Sequence, residues 1–205
     1  MKYIISVLLL CFIWPRTNAQ NLIPNGNFEN YKDCPTNYYL KKYLDFWFSP
    51  SKGTPDYFNK CSRTKFGVPK NFAGVSQPRS GNGYMGFYLA SDMILGKSTK
   101  KTLLSQYNSR EAIEVKLINP LKKNNLYCLK FFVKRSSKSL FKIGEINVYF
   151  SKWKNRFRHI HSYDFQPQIR FTKKESNYSS DWTLLCSTFK PRGKRRYMSI
   201  GNFQK

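Results

Sequence analysis

The chain has few acidic side chains, with 11 Asp and Glu against 36 Lys and Arg and a formal net charge of +25. The excess is uneven: residues 116–205 hold 21 basic and 4 acidic side chains, whereas residues 20–115 hold 13 and 7. A field of this kind attracts polyanions. The positive charge can also follow from a general composition rich in Lys and Asn. Polyanion binding and general composition therefore both stay open as explanations.

The common catalytic motifs are missing as well. There is no Gly-x-Ser-x-Gly elbow, no His-Glu-x-x-His pair and no phosphate-binding glycine loop. Two carboxylates can make a glycosidase, but nothing in the setting of the acids singles out a pair. The acids considered are Asp45, Asp56, Glu111 and Glu114. The sequence therefore predicts a protein that is not an enzyme.

Long apolar runs are absent except at the N-terminus, where residues 3–14 are almost entirely apolar. Lys2 precedes this run, and Thr17-Asn18-Ala19 follows it as a small-residue cleavage site. The run is too short to span a bilayer comfortably. We therefore expect a signal peptide at residues 1–19 and an exported domain at residues 20–205. The destination is the periplasm, the outer-membrane surface or the extracellular space.

Export also bears on the partner that the positive charge would attract. An exported protein rarely meets nucleic acid, so an acidic polysaccharide is the favoured polyanion. No second apolar stretch is long enough to cross a membrane, so we expect no transmembrane segment in the mature chain.

No segment shows the 3.6-residue period of an amphipathic helix, but short strand patterns are frequent. Apolar and polar residues alternate over 113–117 and 146–150, and residues 126–133 are apolar on both faces apart from Lys130, as in a central strand. Further strands are predicted at 22–28, 44–48, 84–89, 182–189 and 197–203. About eight strands without helices predict an all-β sandwich or barrel.

Four cysteines follow the leader: Cys34, Cys61, Cys128 and Cys186. An even number in an exported protein indicates disulfides, and four cysteines allow three pairings. We favour Cys34–Cys61, which would bracket a loop-rich segment, together with Cys128–Cys186, which would join two strand-like runs.

A candidate ligand site lies within the segment that contains Asp56, Tyr57 and Asn59. Sugars are bound by aromatic faces, with carboxylates and amides at the hydroxyl groups, and these three residues supply those chemical types. The structural alternative is that Tyr57 packs in the core and Asp56 caps a turn. Tyr84 and Tyr88 share one strand face and are either core residues or a binding platform.

Several motifs, taken in order, resemble a group of exported proteins from Bacteroidetes with jelly-roll modules of the galactose-binding-like and carbohydrate-binding-module type. The resemblance covers nearly the whole mature chain. The motifs are the run 21–29, Cys34-Pro35, Trp47, the run 53–61, the run 68–71, the run 78–86, Arg110-Glu111, Pro120-Leu121 and the run 200–203. Such modules often precede an outer-membrane-protein-A-like domain.

The resemblance implies a jelly-roll β-sandwich of about eight antiparallel strands that binds a glycan at the cell envelope or outside it. It also implies a structural calcium ion with Glu29 as one of its ligands. The alternative is that Glu29 makes hydrogen bonds at a strand end. Similar proteins continue beyond the last shared motif, whereas this chain stops at Lys205. The sandwich then lacks a closing edge strand, or the product is truncated.

Two alternative functions stay open: a structural or adhesive envelope protein that contacts other proteins, and a basic polyanion-binding protein.

Overall fold

The computed structural model describes residues 19–89, 110–139, 145–156, 166–172 and 181–203. The predicted signal peptide lies outside these ranges except for Ala19. Among the described residues, no helix is both long and apolar enough to cross a membrane.

The described chain forms eleven short strands and one helical turn, α1 (Leu40–Tyr43). The strands are β1 (Trp47–Phe48), β2 (Asp56–Asn59), β3 (Lys70–Asn71), β4 (Gly74–Val75), β5 (Gly83–Gly86), β6 (Ala112–Leu121), β7 (Tyr127–Val133), β8 (Ile146–Ser151), β9 (Ile169–Phe171), β10 (Thr183–Phe189) and β11 (Arg195–Gly201). All strand pairs are antiparallel. This confirms the predicted all-β class.

The protein is a β-sandwich whose main sheet has five strands in the order β1-β6-β11-β8-β9. The opposing layer contains the pair β7–β10. Phe150 of β8 stacks on Phe189 of β10 with ring centroids 4.4 Å apart, and Phe131 of β7 meets Phe171 of β9 at 5.6 Å. These aromatic contacts join the layers through one hydrophobic core.

In the main sheet the alternating patterns correctly place the apolar side chains in the core, although Glu114 and Asn147 on the other face are buried too. Ile113, Val115 and Leu117 of β6 are buried in the core, and Val148 and Phe150 of β8 are buried with them. Strand β11, the last in the described chain, pairs with β6 on one side and β8 on the other. It is therefore an internal strand of the sheet.

The outer face of the main sheet carries a buried polar cluster around Glu114. One carboxylate oxygen of Glu114 accepts a hydrogen bond from the backbone N–H of Asn155 at 3.0 Å. The other accepts bonds from the Ser199 hydroxyl, at 2.6 Å, and from the Asn155 side-chain amide. Burial raises the pKa of Glu114, and these hydrogen bonds partly offset the rise.

The predicted strand at 22–28 is wrong, because this segment forms turns. Asn25 and Phe28 have φ angles of 48° and 62°, which a strand does not allow. The Asn25 side chain closes the turn by bonding both backbone groups of Asn30 at 2.8 and 2.9 Å. The turn is fixed to the core by Trp47, whose indole N–H donates to the Asn25 carbonyl at 3.0 Å.

The expectation of a central strand at 126–133 is also wrong. Among the described residues, β7 pairs with β10 alone, and Cys128, Lys130 and Phe132 on its outer face are exposed. The apolar pattern of residues 126–133 therefore did not mean that both faces of this strand are buried.

The cysteines follow the prediction in one pair and depart from it in the other. Cys34 and Cys61 form a disulfide, whereas Cys128 and Cys186 are free and exposed. In the β7–β10 register, Cys128 lies opposite Thr188 and Cys186 lies opposite Lys130, so the two cysteines are diagonal neighbours. Diagonal residues are about 7–8 Å apart, which exceeds the usual reach of a disulfide.

Candidate functional site

A cleft of about 400 Å³ lies where the pairs β2–β5 and β3–β4 meet the end of β7 and the segment that follows it. Its lining combines the aromatic side chains of Tyr84, Tyr88 and Trp182 with one carboxylate, that of Asp56. Concave sites with apolar walls and a few polar groups are the usual form of a small-ligand site.

Strand β2 determines which predicted residues reach the cleft. Successive side chains of a strand point to opposite faces, so Asp56 and Phe58 share one face while Tyr57 and Asn59 share the other. Asp56 and Phe58 line the cleft, and Tyr57 and Asn59 do not. The structure thus separates the three residues that the sequence grouped as one sugar-binding set.

Tyr57 and Asn59 are buried in contacts with the rest of the chain. The Tyr57 hydroxyl donates to the Phe28 carbonyl at 2.8 Å and accepts from the Asn59 amide at 2.6 Å. Asn59 also accepts the Cys61 N–H at 2.9 Å. Burial raises the pKa of Tyr57 to about 12. These bonds attach the N-terminal turn to β2. Tyr57 belongs to the hydrophobic core, as its structural alternative proposed.

Asp56 is the most unusual group in the cleft. Its side chain is only 4% exposed, and its Oδ1 atom has no hydrogen-bond partner. Burial, followed by the nearby Glu111 carboxylate, raises the pKa of Asp56 to about 7, while Lys65 acts in the opposite direction. Near neutral pH, Asp56 therefore exists in both its ionised and its protonated form.

Glu111 is the acidic neighbour of Asp56, and hydrogen bonds fix both of its carboxylate oxygens. One of its oxygens accepts from the Thr54 backbone N–H at 2.7 Å and from the Thr54 hydroxyl at 3.4 Å, and the other accepts from the Tyr88 N–H at 3.0 Å. Burial still raises its pKa. The sequence did not single out Glu111, although its shared Arg-Glu motif was a signal that could have done so.

Three aromatic side chains form the open part of the cleft. Tyr88 is 54% exposed, whereas Tyr84 is half-buried and accepts a hydrogen bond from the Asn71 amide at 2.7 Å. Trp182 meets the Tyr84 ring edge-on at 5.9 Å. Both predicted tyrosines reach the cleft, but Tyr88 lies beyond the end of β5. Trp182 comes from a distant part of the sequence and was not predicted.

One wall of the cleft is basic, because Lys134, Arg135 and Lys138 follow β7 there. The Lys138 ammonium donates to the Phe72 carbonyl at 3.0 Å. Nearby, the Arg79 guanidinium lies 3.7 Å from the ring centroid of Phe132, which also lines the cleft. The cleft therefore has a buried carboxyl group and a cationic wall.

Glu29, the predicted calcium ligand, lies outside the cleft and bonds to N–H donors. Its two oxygens accept from the Asn82 backbone and side-chain nitrogens and from the Gly83 N–H at 2.8–3.1 Å. Among the described residues, no group of three or more His, Cys, Asp or Glu side chains is placed to hold a metal ion. These contacts link the N-terminal turn to β5, and the calcium site stays a prediction.

No protein-family model matches this chain, and no curated protein or solved structure shows significant similarity to it.

Proposed function

We propose that this chain is a non-catalytic binding module that holds a glycan in the cleft lined by Asp56, Tyr84, Tyr88 and Trp182. The observation that carries the proposal is that a buried carboxyl group and three aromatic side chains line the same cleft. Aromatic faces stack on the C–H surfaces of sugars, and a buried carboxyl group can bond to their hydroxyl groups.

The carboxylates support a binding role rather than hydrolysis. Glycosidases place two carboxyl groups on either side of the scissile bond. Among the described residues that line the cleft, Asp56 is the one acid. Glu111, its acidic neighbour, already accepts hydrogen bonds from Thr54 and Tyr88 on both oxygens. It is thus engaged as a structural group.

We place the protein in an exported, oxidising compartment at the cell envelope or beyond it. The support is the Cys34–Cys61 disulfide, because such bonds form and persist mainly outside the reducing cytosol. The predicted signal peptide is consistent with this location.

The test begins with a screen of the wild-type protein on a glycan array. Titration calorimetry then compares the affinity of the wild type and of Tyr88→Ala for a glycan that the array retains. Tyr88 is exposed, so the variant should fold normally while its affinity for a retained glycan falls roughly tenfold, equivalent to about 1.4 kcal/mol. The matched control is Tyr39→Ala, because Tyr39 is 71% exposed and does not line the cleft. Absence of retention on every glycan, or equal losses in both variants, would contradict the proposal.

A second candidate, polyanion binding, is favoured by the basic wall formed by Lys134, Arg135 and Lys138. Binding that depends on charge neutralisation weakens linearly with the logarithm of salt concentration. A steep salt dependence for an acidic polysaccharide, reduced by Lys134→Gln, would favour this candidate. If no saccharide binds and envelope proteins co-purify instead, the structural or adhesive alternative is favoured.

A further inference from the structure

The starting point is the unpartnered Oδ1 atom of Asp56. Buried polar atoms in native proteins almost always have a hydrogen-bond partner, because leaving one without a partner is costly. Asp56 is 4% exposed and lines the cleft, so the space next to it is the cleft itself. A ligand in the cleft can supply the donor that the described chain does not provide to this atom.

The surroundings of Asp56 favour a positively charged donor. Glu111 acts electrostatically on Asp56, so a second acidic group lies near this carboxyl group, whereas the basic side chains of Lys134, Arg135 and Lys138 line the same cleft and act against a cation. The rings of Tyr84, Tyr88 and Trp182 line the same cleft, and aromatic faces attract cations. A bond between an ammonium group and a carboxylate is also stronger than one between neutral groups.

The basic side chain that acts electrostatically on Asp56 makes its hydrogen bond with a different residue. Lys65 lowers the pKa of Asp56, but its ammonium group donates to the Tyr38 hydroxyl at 2.7 Å. The same ammonium lies 4.5 Å from the centroid of the Tyr38 ring. Lys65 therefore acts on Asp56 from a distance and leaves Oδ1 without a hydrogen bond.

We infer that the cleft selects glycans with a free amino group, which donates to Asp56 while the sugar ring lies against the tyrosines. The ligand class is thus a hexosamine whose nitrogen is not acetylated. This inference rests on the proposed glycan-binding function and adds the chemical group that the site distinguishes. An N-acetyl group would place a neutral amide, with less favourable charge and greater bulk, beside the buried carboxylate.

The experiment compares three disaccharides by calorimetry near neutral pH: the chitosan disaccharide with free amines, its N-acetylated form, and cellobiose. Salt at about 0.15 M limits repulsion between the basic protein and the amines, because it screens charges beyond roughly 8 Å. The variants are Asp56→Asn and, as the matched control, Asp45→Asn. Asp45 is partly exposed and pairs with Lys32 at 2.7 Å.

We expect the free-amine disaccharide to bind at least about tenfold more tightly than the N-acetylated form, as a charge-assisted bond implies. This preference should disappear in Asp56→Asn and persist in Asp45→Asn. Thermal unfolding of each variant establishes that the comparison is made on folded protein.

Every other outcome overturns part of the account. Equal binding of all three disaccharides overturns the inference and leaves glycan binding in place. An amine preference that survives in Asp56→Asn overturns the role of Asp56. If none of the three binds and the glycan array is also blank, the inference and the proposed function both fail.

Discussion

The polar cluster around Glu114 and the cleft around Asp56 both bury a carboxyl group, but the hydrogen bonding of that group differs between them. Glu114 accepts hydrogen bonds on both oxygens from Asn155 and Ser199. Asp56 has one oxygen without a partner, and that residue lines an open cleft. Burial raises the pKa of both acids. The difference indicates that the first acid stabilises the fold and that the second is available to a ligand.

The largest effect on stability is expected from Glu114→Ala, which breaks the hydrogen-bonded cluster. The change leaves the buried donors of Asn155 and Ser199 without their acceptor, so we expect a loss of roughly 3 kcal/mol in the free energy of unfolding. Urea denaturation near neutral pH measures this loss. A change below about 0.5 kcal/mol would show that the cluster does not stabilise the fold.

A smaller effect of opposite sign is expected from Asp56→Asn. The Asp56 pKa is about 7 in the folded protein, against 3.8 ordinarily. Between these values the folded state binds more protons than the unfolded state, so stability falls as pH rises from about 4 to about 7. The variant, which lacks this charge, should be more stable than the wild type by roughly 1–3 kcal/mol at about pH 8 and nearly equal to it at about pH 4.

Urea denaturation across this pH range is the measurement, and Asp45→Asn is its control. Asp45 is partly exposed in an ion pair with Lys32, so its replacement should change stability by less than about 1 kcal/mol at any pH. If Asp56→Asn loses stability at alkaline pH, the carboxylate has a stabilising partner and its comparison with Glu114 fails.

The smallest effect is expected from Lys65→Gln, which removes the positive charge that lowers the pKa of Asp56. The pKa of Asp56 should rise further, and the pH at which stability levels off should rise with it. Titration of the Asp56 carboxyl carbon by NMR follows this directly. A downward shift would show that Lys65 does not lower the pKa of Asp56.

The sequence predicted the parts of the fold that depend on local periodicity. The alternation in β6 and β8 identified the apolar residues that face the core, but it did not predict that Glu114 and Asn147 on the other face are buried as well. The turn at Asn25 was missed, because side-chain bonds to Asn30 override the strand pattern. The Cys128–Cys186 pairing failed because it depends on the register of β7 and β10, which periodicity does not determine.

The candidate site was predictable only in part. The sequence placed Asp56, Tyr84 and Tyr88 in the site, and all three line the cleft. It also included Tyr57 and Asn59, because it did not assign residues 56–59 to a strand whose alternation separates them. Glu111 and Trp182 come from distant segments, and only the packing of the sheets brings Glu111 near Asp56 and Trp182 into the lining of the cleft.

The most direct test of the central claim is an NMR titration of the isotope-labelled protein with the chitosan disaccharide. The account predicts shifts of the backbone amides around Asp56, Gly86 and Tyr88, while those of Asn155 and Ser199 stay unchanged. In Asp56→Asn the shifts should be much smaller at the same sugar concentration. Shifts that cluster around Asn155 and Ser199, or that are equal in the wild type and Asp56→Asn, would contradict it.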